Sequence, residues 1–489
     1  MRRTLTIFLL VTAVGVFLTG CDQFDLSGPQ PSTSVSSDQA FSSVAGFNAV
    51  LNGAFDNLQS VSRYGQQWQL YPSALADNAF SGGGSGRYDA VIPNNTNLGG
   101  YGNMYSAINI ANSIIANIDG FSPDLPSDQA EQVKDRIEGE ARFIRALNYF
   151  DLARNYSYEP GQEIKNFGLG VIMRLKPTRS AADADFRSRV SNDSVYAQVV
   201  NDLTRATTLL KGTNLTKNDG NRAAAFALLA RVQLYQQNWS AANAAAEKAL
   251  NLAPNVVGTS PPDLLVPQGQ FKSAWRAPTH PESIFELSMQ RGEDGNATFS
   301  NSALSALSYA ECASGKCDEG EFREFSFEVT PSPTLPYMQG DIRLSLIDTL
   351  SNGTPVLGKY TNTIDRFTDR IPLIRVPELY LIQAEARAEG ASGDPLEPLN
   401  TLRTARGLSA ITGNPSASAI IDSVYVERRR ELVYEGHRWF DLKRRGMDVP
   451  KPQPNASLNP LPYTNRRILA PLPTGEVTSN PKLTQNPGY

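Results

Sequence analysis

The chain has 489 residues, 40% hydrophobic and 19% charged, with a formal net charge of −4. That composition is globular, and with no basic field to attract nucleic acid or anionic lipid, both are disfavoured as partners. The length exceeds the roughly 100–200 residues of one ordinary domain, so two packed lobes or one extended helical frame with insertions are expected.

Arg2 and Arg3 open the chain, and Leu5 to Leu18 is an apolar stretch too short to span a bilayer comfortably. It ends in Leu18-Thr19-Gly20-Cys21. Small residues before a cysteine resemble a bacterial lipobox, with residues 1–20 as the signal peptide and Cys21 as the acylated first residue. The alternative is an ordinary secretory signal cleaved nearby. Several acyl chains on one cysteine anchor stably, where a single chain is marginal. Residues 21–39 are rich in Ser, Pro, Gly and Asp and are expected to form a flexible tether.

Asp38 to Leu58 carries Phe41, Val44, Phe47, Leu51 and Phe55 at helical spacing. Tyr64 to Gly102 is loop-like, with Gly82-Gly83-Gly84, Gly86 and Gly99-Gly100. Helical periodicity returns at Met104–Ile118 and again at Ser127–Tyr156, where Asp128 and Glu131 suit the positive end of a helix. A linker, Ser157–Arg189, leads to a helix at Asp193–Leu210. Two further helices follow, Asn221–Gln237 and Ser240–Leu250, with Trp239 between them. Small residues on adjacent helices with an aromatic at the turn resemble a tetratricopeptide unit. Pro254–Pro281 is irregular, Ser283–Met289 alternates like a strand, and Gly292–Asp341 forms an insertion. Helices are expected at Val376–Glu389, Pro395–Arg406 and Ile420–Gly436, before a Pro-rich tail from Pro450. Residues 40–489 then make one domain. Its helical frame covers about 40–58, 104–156, 193–252 and 376–445, its loop-rich lobe about 59–103 and 254–375, and its irregular tail 446–489. After residue 20 no apolar run is long enough for a transmembrane helix.

Cys312 and Cys317 are expected to form a local disulfide, because the chain is exported. His280 and His437 are the only histidines, too few to complete a zinc site. Glu293-Asp294-Gly295-Asn296 and Asp318-Glu319-Gly320-Glu321 lack the full calcium-loop pattern, so no metal and no cofactor is expected. Glu427, Glu431 and Glu435 form an i, i+4, i+8 ladder that suggests an acid–base pair for glycoside cleavage. Neighbouring arginines argue otherwise, since they depress a carboxylate's pKa where a general acid needs it raised. Glu140, Arg145, Glu378, Glu385, Glu427, Arg428, Glu431, Glu435, Arg438 and Asp441 are therefore assigned to a structural charge network. No Gly-x-Ser-x-Gly elbow accompanies either histidine, which is expected to be solvated or hydrogen-bonded.

Three stretches carry a resemblance: residues 139–152 (GEARFIRALNYFDL), residues 375–386 (RVPELYLIQAEA) with 399–403 (LNTLR), and residues 427–442 (ERRRELVYEGHRWFDL). With the Pro471-Leu472-Pro473 and Asn486-Pro487-Gly488-Tyr489 ending and the lipobox, their order resembles the SusD/RagB family of outer-membrane glycan-binding lipoproteins. The resemblance implies a mostly α fold, with tetratricopeptide-like helix pairs in a right-handed superhelical frame and an irregular ligand-binding lobe. It also implies a lipid anchor in the outer membrane facing the exterior, and a SusC-like TonB-dependent barrel transporter as partner. The implied role is capture of an oligo- or polysaccharide without catalysis. Rivals are the same fold carrying peptides or another polymer, a secreted glycosidase, and a pure protein-interaction scaffold.

A sugar site needs an aromatic platform with a polar rim. Trp239 and Trp439 belong to helical motifs, which leaves ring-bearing loops. The candidate ligand residues are Trp68, Asp77, Asn78, Arg87, Tyr88, Asp89, Tyr101, Trp275, Arg276 and Tyr309.

Overall fold

The fold comes from a computed structural model that describes residues 37–80, 98–212, 216–258, 264–289, 330–332, 335–349, 355–361, 368–451 and 459–489. It is mostly helical. The longer helices are α1 (Val44–Gln59), α2 (Gln67–Ala74), α3 (Tyr101–Ile118), α4 (Ser127–Tyr156), α5 (Asn192–Leu209), α6 (Arg222–Tyr235), α7 (Trp239–Leu252), α8 (Val376–Ala388), α9 (Leu396–Ala405), α10 (Ala417–Glu431) and α11 (Arg438–Arg444). Ser43, Ser191, Asn221 and Ser416 cap α1, α5, α6 and α10, each side-chain oxygen accepting a backbone N–H of the first turn.

The helices pack largely in chain succession: α3 on α1, α4 on α3, α5 on α4, α6 on α5, α7 on α6 and α8 on α7. This is the nearest-neighbour logic of helical-repeat frames, and tetratricopeptide-like pairing is compatible with it. The helices α6 and α7 pack on each other and both are rich in buried alanine, Ala224, Ala227 and Ala230 on the first and Ala242, Ala246 and Ala249 on the second. Side chains no larger than a methyl permit close approach of helix axes. α4 changes character along its length. Its first turns are exposed, but from Gly139 to Tyr156 nearly every side chain is buried, so this half is surrounded rather than amphipathic.

The strands are short. Ser283–Leu287 pairs antiparallel with Ile371–Arg375, every residue of both is buried, and the second strand runs directly into α8. Pro377 stands in the first turn of α8, where a missing N–H costs nothing. Among the described residues no helix is long and apolar enough to cross a membrane.

Two elements differ from the sequence expectation. Residues 67–74, expected within a loop, form α2, whose residues from Trp68 to Ala74 are all buried. The helix expected over Ile420–Gly436 stops at Glu431. Tyr434 and Gly436 then take φ of 60° and 79°, and α11 begins two residues later. A Cβ on Gly436 would collide with the carbonyl oxygen of Trp68, so the turn needs glycine for space as well as for its positive φ.

Candidate functional site

The loop-rich segments share a root. Strand Ala79–Phe80 pairs antiparallel with strand Thr330–Pro331, Ala79 opposite Pro331 and Phe80 opposite Thr330. The chain passes from the first strand into residues 81–97, and from residues 290–329 into the second. The backbone N–H of Ser332 donates to Asn78 O at 2.9 Å, extending the ladder by one bond.

This root is fastened to α10 and α11. Arg438 grips Asp77 through both carboxylate oxygens, at 2.6 and 3.0 Å. Arg429 donates to Asn78 Oδ1 at 2.7 Å and to Asp77 O at 2.6 Å. Fork-to-carboxylate contacts of this kind fix geometry as well as adding energy. Lys451 donates to the carbonyl of Leu75 just upstream. Asp77 and Asn78 are buried and committed to this brace, so they position the loop roots and do not line a ligand surface.

The two tryptophans are corrected for the same reason. Trp68 has no exposed surface. It stacks on Phe440 (5.8 Å, 20°), its Nε1 donates to Gly99 O at 3.1 Å, and Arg63 and Arg154 lie near its ring. Trp275 packs against His280 at 4.5 Å, with Lys359 and Arg375 near its ring. Rings enclosed in this way offer no free face to a sugar. Arg276 is partly exposed and faces Asp348 at 3.5 Å. Arg87, Tyr88, Asp89, Tyr309, Cys21, Cys312 and Cys317 lie outside the described residues.

Tyr101 lines an open groove of about 410 Å³ between α3, residues 172–186 and the short helix Thr474–Ser479. Tyr105, Arg174, Phe186 and Glu476 line it too, and sequence reasoning missed all four because they come from separate segments. Burial pushes the Tyr101 hydroxyl up to about 12, which keeps its proton in place as a donor.

The charge network is internal and extensive. Glu431 accepts hydrogen bonds from Arg375 at 3.0 Å, Arg406 at 3.0 Å and Arg343 at 3.1 Å. Glu435 pairs with Arg375 and Lys359, and Glu427 with Arg343, Arg403 and Arg430. A second group joins Arg428, Asp441, Arg444 and Glu385, and Glu378 pairs with Arg231. Arg145 is held by Asp202. Burial opposes ionisation of Glu431, Glu385 and Asp441, yet the arginines beside each outweigh it and hold these carboxyls below the usual range. None of the three has the raised pKa that protonating a glycosidic oxygen requires.

Glu140 departs from this pattern. Burial, only partly opposed by Arg136 at 2.8 Å, raises its carboxyl to about 7. The folded state therefore keeps this proton after the unfolded chain, with a carboxyl near about 4.3, has released it. The contribution is complete below the unfolded value and is lost as pH rises towards about 7. Glu140→Gln removes the titration. Its urea midpoint relative to wild type is expected to move in the variant's favour between about pH 4 and about pH 8. A difference that stays flat across that range would contradict the assignment.

Both histidines are buried rather than solvated. Burial and surrounding arginines push each well below its ordinary value, so each is neutral. Among the described residues no group of three or more His, Cys, Asp or Glu is placed to hold a metal ion.

The described residues thus form a helical frame whose central carboxylates are paired with arginines, with the strands that flank residues 81–97 and 290–329 braced by α10 and α11. Comparison with known proteins identifies the family. Residues 349–489 match the model described as the SusD family, and residues 32–234 match one described as starch-binding, associating with the outer membrane. A SusD-like protein of Formosa agariphila is 25% identical, covering 96% of this chain and 97% of its own. A crystal structure from Bacteroides vulgatus superposes with a TM-score of 0.78 at 25% identity, covering 92% of this chain and 99% of that one. A laminarin binding SusD-like protein superposes with a TM-score of 0.68 at 21% identity, covering 92% and 100%. The chain belongs to the SusD family.

Proposed function

We propose that this chain is a cell-surface lipoprotein that binds an oligo- or polysaccharide and delivers it, unmodified, to a SusC-like TonB-dependent barrel transporter. In this reading residues 1–20 are a signal peptide, Cys21 carries the lipid anchor in the outer membrane, and residues 21–39 are the tether. Residues 40–489 are the binding domain, with Cys312 and Cys317 joined as a disulfide in its middle insertion. The starch-binding description of the model matched by residues 32–234 supports a glycan as cargo. So does the laminarin-binding SusD-like protein that shares the fold.

The single observation that carries the site is the common root of residues 81–97 and 290–329 at the Ala79–Phe80 and Thr330–Pro331 ladder. Two ring-bearing segments leaving one braced stem suit a ligand held by stacking and hydrogen bonds. Arg87, Tyr88, Asp89 and Tyr309 are its proposed contacts, with Arg276 nearby in the chain's middle region.

A polysaccharide panel in affinity gels tests this. The double variant Tyr88→Ala/Tyr309→Ala is expected to lose about 5- to 150-fold in affinity, since two lost ring contacts at about 0.5–1.5 kcal/mol each sum to about 1–3 kcal/mol. Wild-type binding by that variant would remove the proposed contacts. The polymer recovered after incubation is expected to be full length, and shortened products would favour a glycosidase instead.

A further inference from the structure

The groove beside Tyr101 is distinct from the loop root, and its lining has the chemistry of a sugar subsite. One wall is α3 and the other is the segment 172–186, fixed together by polar bonds that leave little to reorganise. Tyr105 Oη donates to Ile172 O at 2.7 Å. Asn109 accepts from the Thr178 N–H at 2.7 Å and donates to Thr178 O at 3.1 Å. Asn112 donates to Arg174 O at 2.9 Å. The third side is held in place by Asn480, which donates to Arg187 O at 2.9 Å. A wall ordered before binding spares a ligand that entropic cost.

Within these walls the Tyr101 and Tyr105 rings lie 4.8 Å apart. Phe186 lines the same groove with 55% of its surface exposed, so its ring is open to a ligand. Arg174 and Arg187 both bond Asp185, at 2.6 and 2.7 Å, so that carboxylate is already committed. Glu476 is exposed and pairs with no cation among the described residues. The lining is thus apolar rings with one carboxylate at the rim, Glu476, that no cation engages among the described residues. An acceptor-only carboxylate of this kind suits the hydroxyl donors of a sugar. A volume of about 410 Å³ lies at the small end of ligand pockets, room for one or two rings.

We propose that this groove is a second saccharide subsite, taking one or two sugar rings against Tyr105 and Phe186, with Glu476 accepting their hydroxyls. The proposal rests on the reading of the chain as a saccharide binder, and adds a place where part of the same cargo is held away from the loops.

Calorimetric titration of the full mature chain with maltose, cellobiose and laminaribiose tests it. Three proteins are compared: wild type, Phe186→Ala/Glu476→Gln and Tyr88→Ala/Tyr309→Ala. Both groove positions are exposed, so their variant is expected to melt like wild type. The expected result is two binding events in wild type, with the groove variant weakening one by about tenfold or more and the loop variant weakening the other. If the groove variant titrates like wild type while the loop variant loses all binding, the subsite is overturned and the parent reading stands. If wild type binds none of these sugars and no polysaccharide of the panel, both fall. If an apolar peptide occupies the groove and Glu476→Gln leaves that binding unchanged, the face belongs to a hydrophobic partner and the subsite is again overturned.

Discussion

Glu431→Ala is expected to lower the unfolding free energy by about 3–5 kcal/mol, seen as a fall in the urea midpoint at neutral pH. Glu431 is 1% exposed and accepts from Arg343, Arg375 and Arg406, themselves almost wholly buried. Deleting the carboxylate leaves these three guanidiniums, with Lys359, Arg403 and Arg430, sharing Glu282, Asp341, Glu427 and Glu435 among the described residues, so cations outnumber carboxylates six to four in a buried cluster. Domains are stable by only about 5–15 kcal/mol, so the loss is a large fraction of the total. The contrasting variant is Glu397→Ala. That carboxylate bonds Arg387 at 2.7 Å but is 71% exposed, and its removal is expected to cost at most about 1 kcal/mol. Equal costs for the two would refute the assignment of the cluster as the brace of the frame.

The same cluster sets a pH dependence opposite in sign to that of Glu140. Arginines hold the folded Glu431, Glu385 and Asp441 carboxyls below their unfolded values. Their contribution is complete above the ordinary carboxylate range, about 4, and disappears as pH falls through the depressed folded values. Acid unfolding of the domain follows from these groups.

The sequence made the long helices legible because their signal is local. α4 runs from Ser127 to Tyr156, the bounds its periodicity suggests, and the charged stretch around Glu431 has arginines close enough in sequence to betray its role. Partner identity is another matter. Arg145 is gripped by Asp202 on α5, and Glu140 by Arg136 one turn earlier, choices set by how α4 packs. α2 was invisible because it is short and nearly all buried, so no polar face alternates with an apolar one. Glycines on both sides of it dominated the local pattern. The groove was invisible too, since Tyr101, Phe186 and Glu476 meet only after folding. Aromatic content alone could not separate a core tryptophan from a ligand platform, because both are flat rings in irregular sequence and burial decides between them.

Trp68→Ala puts that distinction to the test. The indole is completely buried, stacked on Phe440 of α11, and bonded through Nε1 to Gly99 O at 3.1 Å. It therefore ties α2 to α11 and to the backbone just before α3. Removing it leaves a cavity lined by Arg63, Arg154 and Phe440 and an unpaired carbonyl, with an expected cost of about 3–5 kcal/mol. Trp68→Phe keeps most of the stacking area but loses the hydrogen bond, so an intermediate loss is expected. Phe186→Ala, on an exposed ring, is expected to change stability by about 0.5 kcal/mol or less. Saccharide affinity, measured where each variant is still fully folded, is expected to stay near wild type for Trp68→Ala. A variant with wild-type stability and lost affinity would return Trp68 to the ligand surface. Loss of both together leaves the ring in the core, acting on the ligand through the frame: Gly436, at the turn between α10 and α11, rests on the Trp68 carbonyl, and Arg429 and Arg438 on either side of that turn brace the loop root.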